Sequence, residues 1–488
     1  MNKKIVSVVQ SVALEYPKAP YHPKKIYAEF SDFTLFMREY DSENYVYDAV
    51  REILLELELD KEHIGTSDWN PFRELIVPGG SVIIKPNLVR HTHPFGNEGV
   101  LSMITHASVL RPIIDYILLA TDKNIKITIC DVPLQQTVWE EMIKINGLED
   151  LIRFYQGQGI HIALLDLRLE ISQANAEGII YSRERKIRDP LGYSPVDLGK
   201  KSALMPIIQH HDRFEITDYG AGTVPKHHNP EKNEYYIPNT VLQADLFINV
   251  PKLKTHKKTG ITFALKNLIG INGDKSWLAH HRRGDVESGG DEYKKLEVIP
   301  WLKSRVWAFL KRYWLGRIFA KLLKRIYIFY FPKKSDARRN VTAVRQVPIV
   351  EGSWYGNDTV WRCIKDLNNI VLFADKKGIM QDVPQRKYLC IGDGIIAGDK
   401  EGPMRQRPRP VGLIIGGMSA VAVDRVAAHV LGFDFQKIPQ IREGFLNEHW
   451  KLTPFAEQDI IWHSNTEQIK EMNLLFEPPA NWKNYIER

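Results

Sequence analysis

The sequence predicts an α/β fold: a largely parallel sheet flanked by helices, with a helical, basic aromatic insertion. Three observations predict it. Short β-rich runs alternate with segments of helical period, the rhythm of a parallel sheet with crossover helices. The run Leu246–Val250 is apolar at four of its five positions, as a strand buried on both faces is. Charged and amide residues gather just past strand ends, where open α/β sheets bind ligands.

Taken in order, residues 5–9 read as the first strand, and their apolar run is too short for a secretory signal. Val46, Val50, Ile53, Leu54 and Leu57 share one face of a helix over 46–57. A strand follows at 82–85, a helix at 108–121, a strand at 126–130, a helix at 138–146 and a strand at 161–165. Residues 166–245 are rich in Gly, Pro, Asp and His, which predicts loops and short antiparallel pieces. After Leu246–Val250 comes a Pro-led loop, then a helix carrying Ile261, Ala264, Leu265 and Leu268 on one stripe. The rhythm stops over 276–355. It resumes with a helix at 358–372, strands at 388–391 and 412–415, and a helix at 420–431. Residues 1–275 and 356–440 are therefore expected to form one discontinuous domain. Residues 276–355 would be an insertion, and 441–488 a C-terminal extension packed on the body.

With 488 residues, 44% hydrophobic and 26% charged, the chain has the composition of a globular protein rather than a disordered one. Cys130, Cys363 and Cys390 are far apart, so neither a disulfide framework nor a zinc or iron–sulfur spacing is present. A reducing, cytoplasmic setting fits that pattern, and no apolar run is long enough to span a bilayer. The net charge of +7 has one source: residues 301–340 hold 12 Lys and Arg against one Asp, leaving the remainder mildly acidic. That asymmetry argues against nucleic acid as a partner.

Four groups carry chemistry. Lys85 and Asn87 flank Pro86 at the end of a strand, offering a point charge and an amide. Asp131 ends the next strand, where it can hold a cation or a hydroxyl, although capping the loop is the commoner role. Lys252, Lys254 and His256 alternate, so an extended backbone would put all three on one face. They lie between a buried strand and a helix N-terminus, which attracts anions. Lys266 and Asn267 lie off the apolar stripe of that helix, while Lys257 and Lys258 read as solvated. The fourth group is acidic: Asp393, Asp399 and Glu401 in the Gly-rich stretch CIGDGIIAGDKEGP, and Asp424 on the helix after it. Clustered carboxylates suit a hard cation such as Mg²⁺, or a general acid–base pair; Asp-Gly and Gly-Asp are also ordinary turn pairs. The adjacent histidines, His280–His281 among them, read as polar loop residues. No P-loop, GxGxxG or GxSxG motif occurs in a fitting context.

The segment 301–331 interleaves aromatics with cations. On a helix, Phe319, Leu322, Leu323, Ile326 and Tyr330 share a face opposite Arg317, Lys321, Lys324 and Arg325. That is the pattern of a helix lying in a membrane interface, at about 1 kcal/mol per basic residue beside an anionic leaflet. Packing on the body, or on a partner, would use the same pattern.

These pieces together resemble the DUF362 family, a domain of unknown function. The resemblance rests on VIIKPNL (82–88), a strand ending in Asp131, NVPKLKTH followed by ALKNLIG within 249–270, GDGIIAGDKEGP (392–403) and AVAVDRVAAHVLGFD (420–434). It covers most of 80–435 in order, without the insertion. Some relatives carry ferredoxin-like cysteine clusters. This chain lacks those cysteines, so no iron–sulfur cluster and no electron-transfer role carry over. Some relatives stand in surface-polysaccharide contexts.

The expected function is an enzyme acting on an anionic, phosphorylated or carboxylated substrate, a small molecule or a lipid-linked one. Lys85, Asn87, Lys252, Lys254, Lys266 and Asn267 would bind it. Asp393, Asp399, Glu401 and Asp424 would hold a divalent cation. Asp393, Glu401, Asp424 and His256 would supply the chemistry of a metal-assisted group transfer. The basic segment would hold the enzyme at the inner, anionic membrane face. A non-catalytic anion-binding protein and a redox enzyme with an organic cofactor are the alternatives.

Overall fold

The computed structural model describes residues 2–31, 39–76, 78–174, 180–217, 219, 222–295, 349, 351–446 and 449–488. Its centre is a ten-stranded mixed sheet. The strands are β1 (Ile5–Gln10), β2 (Ser81–Pro86), β3 (Lys126–Asp131), β4 (Ile162–Asp166), β5 (Leu246–Val250), β6 (Lys252–His256), β7 (Gly260–Thr262), β8 (Lys387–Glu401), β9 (Arg405–Gly417) and β10 (Ile461–Ser464). The order is β10-β1-β9-β8-β5-β2-β3-β4, with β6 beside β8 and β7 beside β6. The run β8-β5-β2-β3-β4 is parallel throughout, and β9 is antiparallel to both its neighbours.

Side chains alternate across the sheet with period two, giving each face its own core. Ile5, Val9, Val82, Ile84, Ile127, Ile129, Leu246 and Ile248 pack on one side against helices α1 (Tyr45–Glu56) and α2 (Ala107–Thr121). The short helix α3 (Trp139–Ile145) and α4 (Leu148–Gly157) complete that layer. Val6, Val8, Ile83, Phe247, Cys390 and Leu413 pack on the other side. That side carries α5 (Ala264–Asn267), α6 (Val360–Phe373) and α7 (Ala420–Leu431). The Asn44 side chain accepts from Tyr47 N at the start of α1, and the Ser419 side chain accepts from Ala422 N at the start of α7. Gly432, at φ 90°, ends α7 in the left-handed conformation that suits glycine.

Two stretches differ from the sequence expectation. Residues 392–403 read as a Gly-rich loop, yet 393–401 continue β8, and β8 and β9 form a long hairpin. The glycines serve packing there: a Cβ on Gly392 would lie 2.1 Å from the Phe263 ring, and one on Gly398 would lie 2.4 Å from Gln406. The helix expected from Ile261 is also shorter. Ile261 belongs to the β6–β7 hairpin, and α5 runs for one turn before a 3₁₀ segment, Leu268–Ile271.

Within 166–245, Glu170–Ala174 pairs with Ile180–Arg185, and Tyr193–Asp197 pairs with Glu234–Pro238, both antiparallel. From the C-terminal extension, β10 adds an edge strand parallel to β1. The start of the insertion also reaches the body, since His281–Arg282 pairs with Phe214–Glu215. The basic segment 301–331 lies outside the described residues.

Candidate functional site

The parallel strands β2 and β5 end side by side, with Asn249 opposite Lys85 and Val250 opposite Pro86. Past Pro251 the chain stays extended, so Lys252, Lys254 and His256 alternate as the sequence predicts for an extended backbone. Leu253, between two of them, joins the hydrophobic core. The β6–β7 hairpin turns the chain back, and α5 then brings Lys266 and Asn267 over the ends of β2 and β5.

One network closes the floor. Lys85 Nζ pairs with Asp131 Oδ1 at 2.7 Å and donates to Asn267 Oδ1 at 3.2 Å. Asn87 Nδ2 donates to the same Asn267 oxygen at 2.8 Å, and Asn267 Nδ2 donates to Asn249 Oδ1 at 2.7 Å. Lys254 Nζ donates to Asn87 Oδ1 and to the Met103 carbonyl. Asp131 also caps its loop, accepting from Leu88 N at 2.6 Å and Val132 N at 2.8 Å. Gly270 lies directly over the pair, since a Cβ there would stand 2.2 Å from Asp131 Oδ1 and 2.6 Å from Lys85 Nζ. Among the described residues Lys254 has no carboxylate partner, and burial with repulsion from Lys252 and Lys266 pushes its amine well below the usual lysine range.

A second knot lies beside it. Lys252 Nζ pairs with Asp393 Oδ2 at 3.0 Å, both fully buried. The Tyr16 hydroxyl donates to Asp393 at 2.8 Å and accepts from Lys252, and His106 N donates to the same carboxylate at 3.0 Å. The Tyr16 ring stacks on His106 with centroids 4.0 Å apart. Burial, then Lys252, pushes His106 down to about 3, which keeps its ring neutral. Tyr16 and His106 were not legible as site residues: Tyr16 sits in a Pro-flanked loop with no periodicity, and His106 caps α2.

The third group is open. Lys258, Lys266, Lys275 and His280 are half-buried, and none of their side chains makes a hydrogen bond or ion pair among the described residues. They act on one another electrostatically: Lys266 feels Lys275, Lys258 and Lys85, and His280 feels Lys258, Lys266 and Lys275. Burial followed by this repulsion lowers Lys266 from the usual 10.5 to about 7. Burial lowers Lys258 and Lys275 to about 8, with nearby carboxylates opposing the shift. His256 is buried and accepts from Lys258 N at 3.1 Å, and burial with Lys266 and Lys257 keeps it neutral. In sequence His280 read as a polar loop residue and Lys275 carried no signal: it opens a 3₁₀ turn, Lys275–Trp277, too short to show a period. Lys258 reads as solvated in sequence, but the hairpin turns it inward.

The acidic residues are dispersed. Asp393 joins the cations. Asp399 is clamped across the β8–β9 hairpin by Arg407 at 2.7 Å and Arg409 at 2.8 Å. Glu401 Oε1 accepts from Ala480 N at 2.7 Å. Asp424 reaches from α7 to the start of α5, accepting from Ala264 N at 2.6 Å and Leu265 N at 3.1 Å. The acceptor at that helix start is therefore the protein's own Asp424 carboxyl group, which burial raises from the usual 3.8 to about 8. Among the described residues, no three His, Cys, Asp or Glu side chains form a group that could hold a metal ion.

Residues 200–429 match the family model of DUF362, a domain of unknown function. VIIKPNL and Asp131 lie upstream of the matched span. No curated protein and no solved structure matches the chain.

Proposed function

We propose that this chain, which carries a DUF362 domain over residues 200–429, binds a small phosphorylated or carboxylated anion at the ends of β2 and β5. The supporting observation is the set Lys258, Lys266, Lys275 and His280: four half-buried side chains, mutually repelling, with no ion-pair partner among the described residues. Cations held together in a low-dielectric recess cost free energy unless they deprotonate or an anion joins them. The floor of Lys85, Asn87, Lys254 and Asn267 is already internally bonded, so its part is to fix the shape of the recess. Lys252 and Asp393 brace β6 from behind.

Such a recess is suited to an enzyme that stabilises negative charge developing on its substrate. A divalent cation enters this reading as a companion of the bound anion, since phosphate oxygens supply ligands that the dispersed carboxylates do not. Placement at an anionic membrane surface through 301–331 belongs to the same proposal and rests on sequence pattern alone.

Titrating the full chain with inorganic phosphate in a calorimeter tests the reading. Binding should take up protons, because the anion raises the amine pKa values, and should weaken with added salt. Lys275→Met should weaken it, while exchange of an exposed lysine such as Lys126 should not. Absence of heat, together with an unchanged melting temperature in phosphate, would overturn the proposal.

A further inference from the structure

We propose that a second cavity, of about 570 Å³ beside α6, binds a nucleotide through both its base and its phosphate. The volume is that of a small-ligand site. None of the recess residues lines it. Its walls are residues 200–206, α6 between Trp361 and Asn369, and parts of the C-terminal extension, 442–443 and 449–450.

Contacts between distant segments hold these walls together. Arg362 on α6 donates to the Ala203 carbonyl at 2.8 Å and pairs with Asp358 at 3.0 Å. Ser202 donates to Asp366, and Lys365 donates to the Glu443 carbonyl at 3.0 Å. Those groups are spent on the frame, and two polar side chains that line the cavity are not. Asn369 is 3% exposed, its Oδ1 meets no donor, and its side chain makes no hydrogen bond among the described residues. Its neighbour Asn368 donates to the Leu265 carbonyl at 3.0 Å and the Ile364 carbonyl at 2.8 Å. A buried amide without a partner is destabilising until something in the cavity pairs with it. Lys200 is exposed and makes no hydrogen bond or ion pair among the described residues. With Lys201, Arg362 and Arg442 it gives four cationic side chains in the lining against two acidic ones, Asp358 and Glu443.

Two indoles complete the lining. Trp361 Nε1 donates to Asp358 at 3.0 Å and Trp450 Nε1 donates to the Gln381 carbonyl at 2.9 Å. What they offer the cavity is therefore apolar ring surface. A ligand that uses all three features has a flat ring system, a polar ring edge and an anionic group. A nucleotide has this combination. A base edge that sets an N–H donor beside an acceptor is the pattern an Asn amide reads, base rings pack on aromatic side chains, and phosphate suits Lys and Arg. A bare phosphate would use the cations and leave Asn369 unpaired.

The test uses the full-length protein in a calorimeter with adenosine 5′-monophosphate, adenosine and ribose 5-phosphate. The nucleotide should bind more tightly than either fragment. Asn369→Leu should weaken nucleotide binding about tenfold and leave ribose 5-phosphate unchanged. It should not lower the melting temperature, because no native hydrogen bond is lost. Lys200→Gln should weaken the nucleotide and leave adenosine unchanged. Photolabelling with 8-azidoadenosine 5′-monophosphate and peptide mapping then locate the site without any variant. Labelled peptides should come from 200–206, 358–369 or 442–450, and adenosine 5′-monophosphate should protect them better than ribose 5-phosphate does. Equal binding of nucleotide and ribose 5-phosphate, labelling confined to other peptides, or no nucleotide binding would each overturn the inference. The anion reading of the recess is tested by inorganic phosphate and stands or falls separately.

Discussion

Lys266 differs from Lys258 and Lys275 in its neighbours and not in its type. Carboxylates are among the strongest charged neighbours of the other two and not among those of Lys266, and this has a consequence for stability. Its amine titrates at about 7 in the folded chain and near the usual 10.5 when unfolded. Between those values the unfolded chain binds a proton that the native chain has released. The contribution of this group is therefore fully present above the unfolded value and is lost as pH falls through about 7. Denaturant titrations of ligand-free protein should show Lys266→Met gaining stability over wild type at low pH and losing that advantage as pH rises. Saturating phosphate should shrink the difference, because a bound anion restores the ammonium form.

At the scale of elements, the one-turn helix α5 is too short to be stable alone, and α7 holds it through Asp424. Replacing Asp424 with Ala would leave two buried N–H groups unpaired, at about 1–3 kcal/mol each. The expected outcome is a clear fall in melting temperature, with loss of the placement of Lys266 and Asn267 on α5. If Asp424 instead acted as a metal ligand, the variant would melt as wild type does and lose only divalent-cation binding in calorimetry. The hairpin β8–β9 carries a related lesson. Asp393 and Asp399 are six residues apart in one strand, yet one faces Lys252 and the other is held by Arg407 and Arg409. Carboxylates that look clustered in sequence are separated by the partners that each finds across the sheet.

For the whole molecule, the charge asymmetry is the property that reaches beyond the fold. Residues 301–340 concentrate the positive charge, and among the described residues no helix is long and apolar enough to cross a membrane. If 301–331 lies on an anionic surface, the full chain should sediment with vesicles containing phosphatidylserine and not with pure phosphatidylcholine vesicles. Exchanging Arg317, Lys321, Lys324 and Arg325 for Gln should abolish the difference. Equal sedimentation of wild type and variant would assign the segment to packing or to a protein partner.

The sequence by itself determined the α/β class, most of the strands and helices, and the cationic character of 252–266. Periodicity is a local signal, and a buried parallel strand is apolar whatever its neighbours. The alternation of Lys252, Lys254 and His256 was legible for the same reason. Tertiary structure decided which of these charges are satisfied. Lys85 with Asp131, Lys252 with Asp393 and Asp424 with the start of α5 are pairings between distant segments, which no spacing encodes, and Asp399 meets its two arginines across a hairpin that read as a loop. The same packing brought Lys258, Lys275 and His280 from irregular stretches to Lys266. Whether a charge needs a ligand depends on what stands within a few ångströms of it, and the fold alone fixes that.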